Sequence, residues 1–412
     1  MALASREWAG LLDFELSALA QRHLERATSF MDTDVIPAER TYHEQRTELA
    51  ARGEPNTSPP VMTELKARAK ELGLWNLFLP EISGISNLDY APIAEQSGRS
   101  PVIGPEAMNC LSPDTGNMEL LYKFGTAEQK QRWLEPLLAG TIRSGFSMTE
   151  PEVASSDATN IVTRIEPDGD AYVINGRKWW TTGAADPRCQ VLFVLGRSNP
   201  EAAPHAQHSM VLVPADAPGV SVIRTLPVYG YQEQQGHCEI VYDNVRVPKA
   251  SLLGQEGEGF KVAQSRLGPG RIHHCMRAVG MAERALELAC RRALSRTTFG
   301  ERIADHGVVR AQIAEARMAI EQIRLLVLKT AWLIDQHGAR GARTEISAIK
   351  VIAPRVACDV IDRAIQIHGG AGVSDDTPLA LIWSRARTLR IVDGPEDVHV
   401  RNVARQEIRK YA

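Results

Sequence analysis

At 412 residues the chain is too long for one ordinary core, so two or three domains are expected. Its hydrophobic content of 44% and charged content of 24% suit a soluble globular protein. A net charge of −3 gives no global pull towards nucleic acid or anionic membrane, and no apolar run reaches the ~18 residues of a membrane span.

Residues 1–145 read as helices. Leu12, Leu16 and Leu19 share one face of the first. The polar stretch from Arg40 to Pro60, with Gly53-Glu54-Pro55-Asn56 inside it, reads as a loop. Val61, Leu65, Ala69 and Leu72 line another helix, with Pro59-Pro60 at its start and Gly73 just past its end. Thr126 to Gln129 is a capping box that opens a helix burying Trp133, Leu134, Leu137 and Leu138 and stopping at Gly140.

From 146 to 255 the period falls to two. Ile161–Ile165 and Ala171–Ile174 flank a turn at Pro167-Asp168-Gly169-Asp170, and Asn175-Gly176 gives a second hairpin signal. Further strands at Val191, Met210, Val220 and Cys238 suggest a small antiparallel barrel or sandwich. Gly254-Gln255-Glu256-Gly257-Glu258-Gly259 mimics a dinucleotide loop but has the wrong spacing and no βαβ unit, so it reads as a hinge.

From 256 onward the period is helical again. Ile313, Ala316, Ile320, Ile323, Val327, Ala331 and Ile334 form a bundle stripe, and four long helices read as a four-helix bundle. Within the last of these segments, Arg390 to Asp397 makes a helix-to-helix corner with three carboxylates, a glycine and a proline. Taken alone it is a solvated turn, while an acid on the apolar ramp Ile391-Val392 is also where a general base would stand, given a pocket.

The six cysteines lie far apart with no C-x-x-C pair, which predicts free thiols in a reducing cytosol. Asp13 and Glu15 interrupt the early leucines, and Lys410-Tyr411-Ala412 is no peroxisomal address, so a cytoplasmic location is expected.

Four motifs in one order carry a resemblance. They are Phe146-Ser147-Met148-Thr149-Glu150-Pro151 with Ser155-Ser156-Asp157, then Asn175-Gly176-Arg177-Lys178-Trp179-Trp180-Thr181-Thr182-Gly183, then Arg296-Thr297-Thr298-Phe299-Gly300, then Gln366-Ile367-His368-Gly369-Gly370-Ala371-Gly372. In register they resemble the signatures of acyl-CoA dehydrogenases. Leu267 to Cys275 and Asp393 to Asp397 are similar to the subgroup of acyl-CoA dehydrogenase family members ten and eleven. The resemblance implies an α+β multidomain fold: an N-terminal helical domain over 1–145, a middle antiparallel β-barrel or sandwich over 146–255, and a C-terminal four-helix bundle over 256–412.

Removing an α-proton and a β-hydride from an acyl thioester requires a hydride acceptor that no side chain supplies, and the family uses FAD. By resemblance, Phe146, Met148 and Thr149 would line the flavin ring. Trp180 would pack on it, with Thr181 and Thr182 beside it and the Thr182 hydroxyl near N5. Ser156, or Ser155, would meet flavin phosphate or substrate, since this chain carries an extra residue there. Arg296, Thr298, Phe299, Gln366, Gly369 and Gly370 would bind the FAD of a neighbouring subunit, which implies a homodimer or a dimer of dimers. Gly268, Arg271 and Gly394 would contact substrate, and Pro395, Glu396 and Asp397 would complete the cofactor side of the corner.

The family's base is a glutamate before glycine; here it is Asp393-Gly394, roughly 1.5 Å shorter in reach. Its own N–H would help to polarise the thioester carbonyl, and desolvation is expected to raise its pKa. Glu396 is the rival base. In some branches the acid comes from the helix that carries Arg271, but Gly270 excludes that here, and Gly268-Pro269-Gly270 should kink or widen the helix start. No metal is expected, because His273 and His274 point about 100° apart on a helix. Packed bundle histidines are the reading, one facing the substrate cavity the alternative.

The implied function is FAD-dependent α,β-dehydrogenation of a fatty acyl-CoA of medium or long, branched or hydroxylated chain, with electrons passed to an electron-transfer flavoprotein. The alternatives are an acyl-CoA oxidase, whose chains usually carry a further C-terminal domain, and a non-catalytic or nucleic-acid-binding flavoprotein of the same fold. For the latter, Arg401, Arg405 and Arg409 form only a short basic stripe, and no nucleic-acid partner is expected.

Overall fold

The computed structural model describes residues 13–412, the side chains of 267–269 excepted. Short helical turns aside, the first domain consists of α1 (Ala18–Phe30), α2 (Glu39–Ala51), α3 (Pro60–Glu71), α4 (Asn87–Gly98) and α5 (Asp114–Phe124). Helix α1 begins later than the leucine pattern suggests. Ser17 caps it, its hydroxyl accepting from the Ala20 N–H and donating to Asp89. Its inner face is Ala20, His23, Ala27 and Phe30; Leu19 is exposed, and Leu12 lies outside the described residues. The expected loop after Arg40 is helical as far as Ala51. Tyr42 is its buried residue, so α2 shows no apolar period. Helix-favouring Glu, Gln, Leu and Ala, with no Gly or Pro before Gly53, decide it instead. The capping box at Thr126 forms, and Gly140 ends that segment in the left-handed conformation.

The strands are β1 (Arg143–Ser147), β2 (Arg164–Asp168), β3 (Ala171–Thr182), β4 (Cys189–Arg197), β5 (His208–Pro214), β6 (Val220–Thr225) and β7 (His237–Pro248), joined in one seven-stranded sheet. The pairs β2–β3, β3–β7, β6–β7 and β4–β5 are antiparallel. Strand β1 runs parallel to β4, since it enters from the helical domain rather than from a hairpin. Asn175-Gly176 is not a turn: β3 passes through it with a register shift. A Cβ on Gly176 would stand 2.4 Å from Thr163 Oγ1, so glycine serves a close backbone approach there.

The third domain holds α6 (Gly259–Ser295), α7 (Gly307–Gly341, interrupted at Gly338), α8 (Arg343–His368), α9 (Leu379–Thr388) and α10 (Glu396–Ile408). The fourth member of the expected bundle is thus two helices broken by the corner. The α7 stripe from Ala316 to Ile334 is buried as its period requires. The expected kink at Gly268-Pro269 falls where side chains are not described. Helices α4 and α6 cross at backbone contact: a Cβ on Gly98 would lie 2.2 Å from the Arg277 carbonyl, and one on Gly280 would lie 1.9 Å from the Glu95 carbonyl. This crossing fixes α6, which carries much of the site, against the first domain.

A buried ion cluster ties helices to sheet. Glu106 lies 2.8 Å from Lys66, 3.2 Å from Arg188 and 3.9 Å from Arg143. Burial opposes its charge, but the three cations outweigh that and hold the carboxyl well below the usual range. Glu106→Gln strands them and is expected to cost about 3–5 kcal/mol. The wild-type contribution is complete above the unfolded pKa of about 4.5 and is lost as the pH falls below it. The gap in melting temperature between wild type and variant should therefore narrow in acid.

Candidate functional site

The corner between α9 and α10 is built by two successive left-handed residues, Asp393 (φ +53) and Gly394 (φ +97). Aspartate tolerates this conformation better than most residues, and glycine adopts it freely. Three elements hold the corner. Buried Lys350 of α8 donates to the Leu389 carbonyl. Arg271 of α6 donates Nε–H to the Asp393 carbonyl at 2.9 Å. His399 of α10 brings Nε2 to 3.3 Å from that carbonyl, and a Cβ on Gly394 would stand 3.0 Å from the same nitrogen.

The Asp393 side chain faces α6. His274 Nε2 lies 3.2 Å from Oδ2, and Arg266 Nη1 lies 3.6 Å from Oδ1. Arg266, Gly270 and His274 recur every four residues and so share one helix face. Gly270 is the gap in that face, since a Cβ there would lie 3.6 Å from Oδ2. His273 turns the other way, between the rings of Phe78 and Tyr90. His274 is therefore the histidine that faces Asp393. Its Nδ1 lies 3.3 Å from Arg277 Nη2, an arrangement in which Nδ1 accepts and Nε2–H donates to Asp393.

The expected rise in the Asp393 pKa is reversed. Burial does push it up, but the hydrogen bond from His274, then the charges of Arg266 and Lys350, hold the carboxyl well below the usual carboxylate range. Burial also lowers His274, and Asp393 offsets this only in part. Glu396 is differently placed. It is buried at the head of α10, 2.9 Å from Arg355 Nε and 2.5 Å from Arg390 Nε, so both its oxygens are engaged. Asp397 is exposed and Pro395 caps α10.

Arg266 connects this corner to the first motif. Its guanidinium lies 4.2 Å from the Phe146 ring centroid, and its Nε lies 3.3 Å from Asn117 Oδ1. The first two motifs meet where the Trp179 N–H donates to the Thr149 carbonyl at 2.9 Å. Beneath them, Lys178 Nζ donates to Glu150 at 2.8 Å, to the Met148 carbonyl at 2.9 Å and to the Leu195 carbonyl at 2.7 Å. Phe146, Met148 and Thr149 are half-buried at this rim. Trp180 is 41% exposed at φ +55, a combination rare for an aromatic residue. Thr182 Oγ1 lies 2.7 Å from His237 Nδ1. Thr181 is buried under the sheet, 3.1 Å from the Ser147 hydroxyl, which leaves only its backbone for the site. Ser155 accepts from the Glu150 N–H and closes its own loop, whereas Ser156 is exposed. Gly268 lies where side chains are not described.

The other predicted residues stand apart. Arg296, Thr298 and Phe299 ride a short hairpin in which Phe299 is 97% exposed. Gln366, Gly369 and Gly370 are exposed at the end of α8. Among the described residues, no hydrogen bond, ion pair or ring contact joins either group to Trp180, Thr182 or Asp393. A Cβ on Gly369 or Gly370 would meet nothing within 4 Å, so their backbone is open to a ligand. An exposed indole in a strained conformation and bare glycine amides fit a flat aromatic group carrying a pyrophosphate, as FAD does. Arg266, Asn117, Lys350, His399 and His237 escaped the sequence reading. The four-residue spacing of Arg266, Gly270 and His274 is the signal that could have found the first.

Comparison with known proteins gives the following. Residues 20–141, 145–245 and 257–408 match the family models for the N-terminal, middle and C-terminal domains of acyl-CoA dehydrogenase. The chain is 59% identical over 399 residues to the "Probable acyl-CoA dehydrogenase FadE2" of Mycobacterium tuberculosis, covering 97% of this chain and 98% of that protein. It is 51% identical over 399 residues to human "Acyl-CoA dehydrogenase family member 11", covering 95% of this chain and 50% of that protein. It thus spans about half the length of that relative. The solved "Structure of a putative acyl-CoA dehydrogenase from Mycobacterium abscessus" superposes with a TM-score of 0.93 at 52% identity, covering 97% of this chain and all of that one (100%). Butyryl-CoA dehydrogenase of Megasphaera elsdenii superposes with a TM-score of 0.81 at 25% identity, over 96% of this chain and 100% of that one.

Proposed function

The chain belongs to the acyl-CoA dehydrogenase family, FAD-dependent oxidoreductases acting on CH–CH bonds, and from that premise we propose that it desaturates a fatty acyl-CoA at Cα–Cβ with Asp393 as the base. The substrate is a medium or long chain, branched or hydroxylated, and the electrons pass to an electron-transfer flavoprotein. The observation that carries the reading is the Asp393 carboxylate, held by His274 and Arg266 opposite the gap at Gly270. Glu396, by contrast, has its oxygens occupied by two arginines.

FAD, when bound, supplies the hydride acceptor. The protein does the rest. Asp393 takes the α-proton, and the groups around it keep it ionised across the physiological range. The N–H of Asp393 polarises the thioester carbonyl, and Arg271 fixes the backbone that carries it. Phe146, Met148, Thr149, Trp180 and Thr182 line the flavin, with Ser156 at its phosphate or substrate edge. Arg296, Thr298, Phe299, Gln366, Gly369 and Gly370 serve the flavin of a neighbouring subunit in a homo-oligomer, a reading supported by the exposure of Phe299, Gln366, Gly369 and Gly370. The six free cysteines suit a reducing cytoplasm.

The test is anaerobic bleaching of the purified yellow protein by a panel of straight, branched and hydroxylated acyl-CoAs. Bleaching by at least one saturated thioester is expected, and bleaching by none would overturn the reading. Peroxide formed in air at the rate of turnover would replace dehydrogenase by oxidase. A second variant tests the pair around the base. His274→Leu removes the hydrogen bond that lowers the Asp393 pKa, so the acid limb of the pH profile for bleaching should move to higher pH by about one unit or more.

A further inference from the structure

A chain of polar groups runs from Thr182 away from the base. Thr182 ends β3 and pairs with His237, the first residue of β7. Thr182 Oγ1 is 2.7 Å from His237 Nδ1, and His237 Nε2 is 2.9 Å from Glu233 Oε1. Glu233 is buried, and the same Oε1 that meets His237 is ion-paired with Arg385 of α9. Burial opposes its charge, but Arg385 and then His237 outweigh that and keep it ionised. Next to Glu233 lies a small polar cavity of about 20 Å³, bounded by Tyr42, Glu106, Gln235 and Arg385. That is room for about one water. The groups facing His237 are Thr182 and Trp180 from β3 and Glu233 from its own segment, with Arg385 from α9 and Tyr42 from α2 behind Glu233.

An ionised carboxylate 2.9 Å from Nε2 favours a proton on that nitrogen by charge, although the two do not meet as a hydrogen bond. The free choice is then at Nδ1. A neutral His237 accepts there from the Thr182 O–H, which leaves the Thr182 oxygen able to accept a hydrogen bond from beyond. A cationic His237 donates there, which turns the Thr182 O–H outward as a donor. This is the nucleophile–base–carboxylate geometry in a new setting.

We propose that Thr182, His237 and Glu233 form a redox-linked proton relay for the N5 position of the flavin. The relay rests on the reading above, in which Thr182 faces N5. Oxidised N5 is an acceptor and selects the cationic His237; reduced N5–H is a donor and selects the neutral one. When a one-electron acceptor protein or dye withdraws the two electrons, the N5–H bond breaks and its proton passes to Thr182 Oγ. The Thr182 O–H bond breaks in turn and delivers its proton to His237 Nδ1. Glu233 stabilises the resulting imidazolium and borders the cavity through which that charge is later lost.

The experiment is a spectroelectrochemical titration of the holoenzyme between about pH 6 and pH 9, the range in which histidines titrate. Wild type is compared with His237→Gln, which keeps a hydrogen-bonding side chain but cannot titrate, and with Glu233→Gln. Two-electron reduction of wild type is expected to take up one proton fewer from solvent than that of His237→Gln over part of this range. Reoxidation of the pre-reduced protein by ferrocenium should slow about tenfold or more in His237→Gln. Equal pH slopes in wild type and both variants would overturn the relay. Should neither variant fold, the wild-type slope alone decides: a full proton per two electrons throughout the range overturns it. Flavin content and anaerobic bleaching by acyl-CoA are measured first. A protein that binds FAD and bleaches, yet shows no change of slope, loses the relay and keeps the dehydrogenase reading. One that binds no FAD loses both.

Discussion

Asp393→Asn is expected to slow anaerobic bleaching of the flavin by a saturated acyl-CoA by roughly 10²–10⁴-fold, the usual contribution of a positioned base. Flavin content should not change, because asparagine fits the same left-handed corner and its Oδ1 can still accept from one of His274 and Arg266. Glu396→Gln should retain most of the bleaching rate. Its oxygens serve Arg355 and Arg390, so its loss is felt in the stability of the α10 start and not in the chemistry. The opposite pair of results, a bleaching Asp393 variant and a dead Glu396 variant, would move the base to Glu396. The expectation is strong for a geometric reason: two elements fix the Asp393 carbonyl, and the side chain has partners on only one side.

Lys178→Met should be strongly destabilising, at about 3–5 kcal/mol. Lys178 is 0% exposed, and burial holds its pKa down to about 8 even with Glu150 against it. The methionine would leave Glu150 charged and buried, and would leave the Met148 and Leu195 carbonyls without their donor. The unfolding midpoint should fall by several degrees, and FAD should be retained less well, since this ammonium joins the strand ends that carry Thr149 and Trp180. The double variant Lys178→Met/Glu150→Leu separates stability from register. If it recovers stability but not FAD, the ion pair serves the alignment of the two strands. If it recovers neither, hydrophobic replacement fails at this position and the pair is needed for the fold itself.

These residues also mark how much of the molecule was legible. The motif around Lys178 could be recognised without knowing what its lysine does, because a buried ammonium and a solvated one look alike in sequence. Asn175-Gly176 was misread as a hairpin for a related reason. A glycine that turns and a glycine that admits Thr163 differ only in what lies across the strand. Helix α2 was taken for a loop because it buries Tyr42 and little else, so there was no period to detect. The stripe on α7 was legible in full, since seven apolar residues at helical spacing have one economical explanation. The Asp393 pKa came out with the wrong sign, because burial alone was considered and the cations on α6 and α8 come from 43 to 127 positions away (393 − 350 and 393 − 266).

The sequence by itself determined the order of helical, β and helical domains, the motifs that mark the family, and the aspartate on the corner. Those are local properties: period, capping, turn chemistry and short signatures. Only the tertiary structure decided that His274 and Arg266 hold Asp393 while Arg355 and Arg390 take both oxygens of Glu396, and that Thr182 leads through His237 to Glu233. Each of those facts is a distance between side chains on different elements. Hydrophobic periodicity fixes which face of an element is buried, but not which polar atom it meets there.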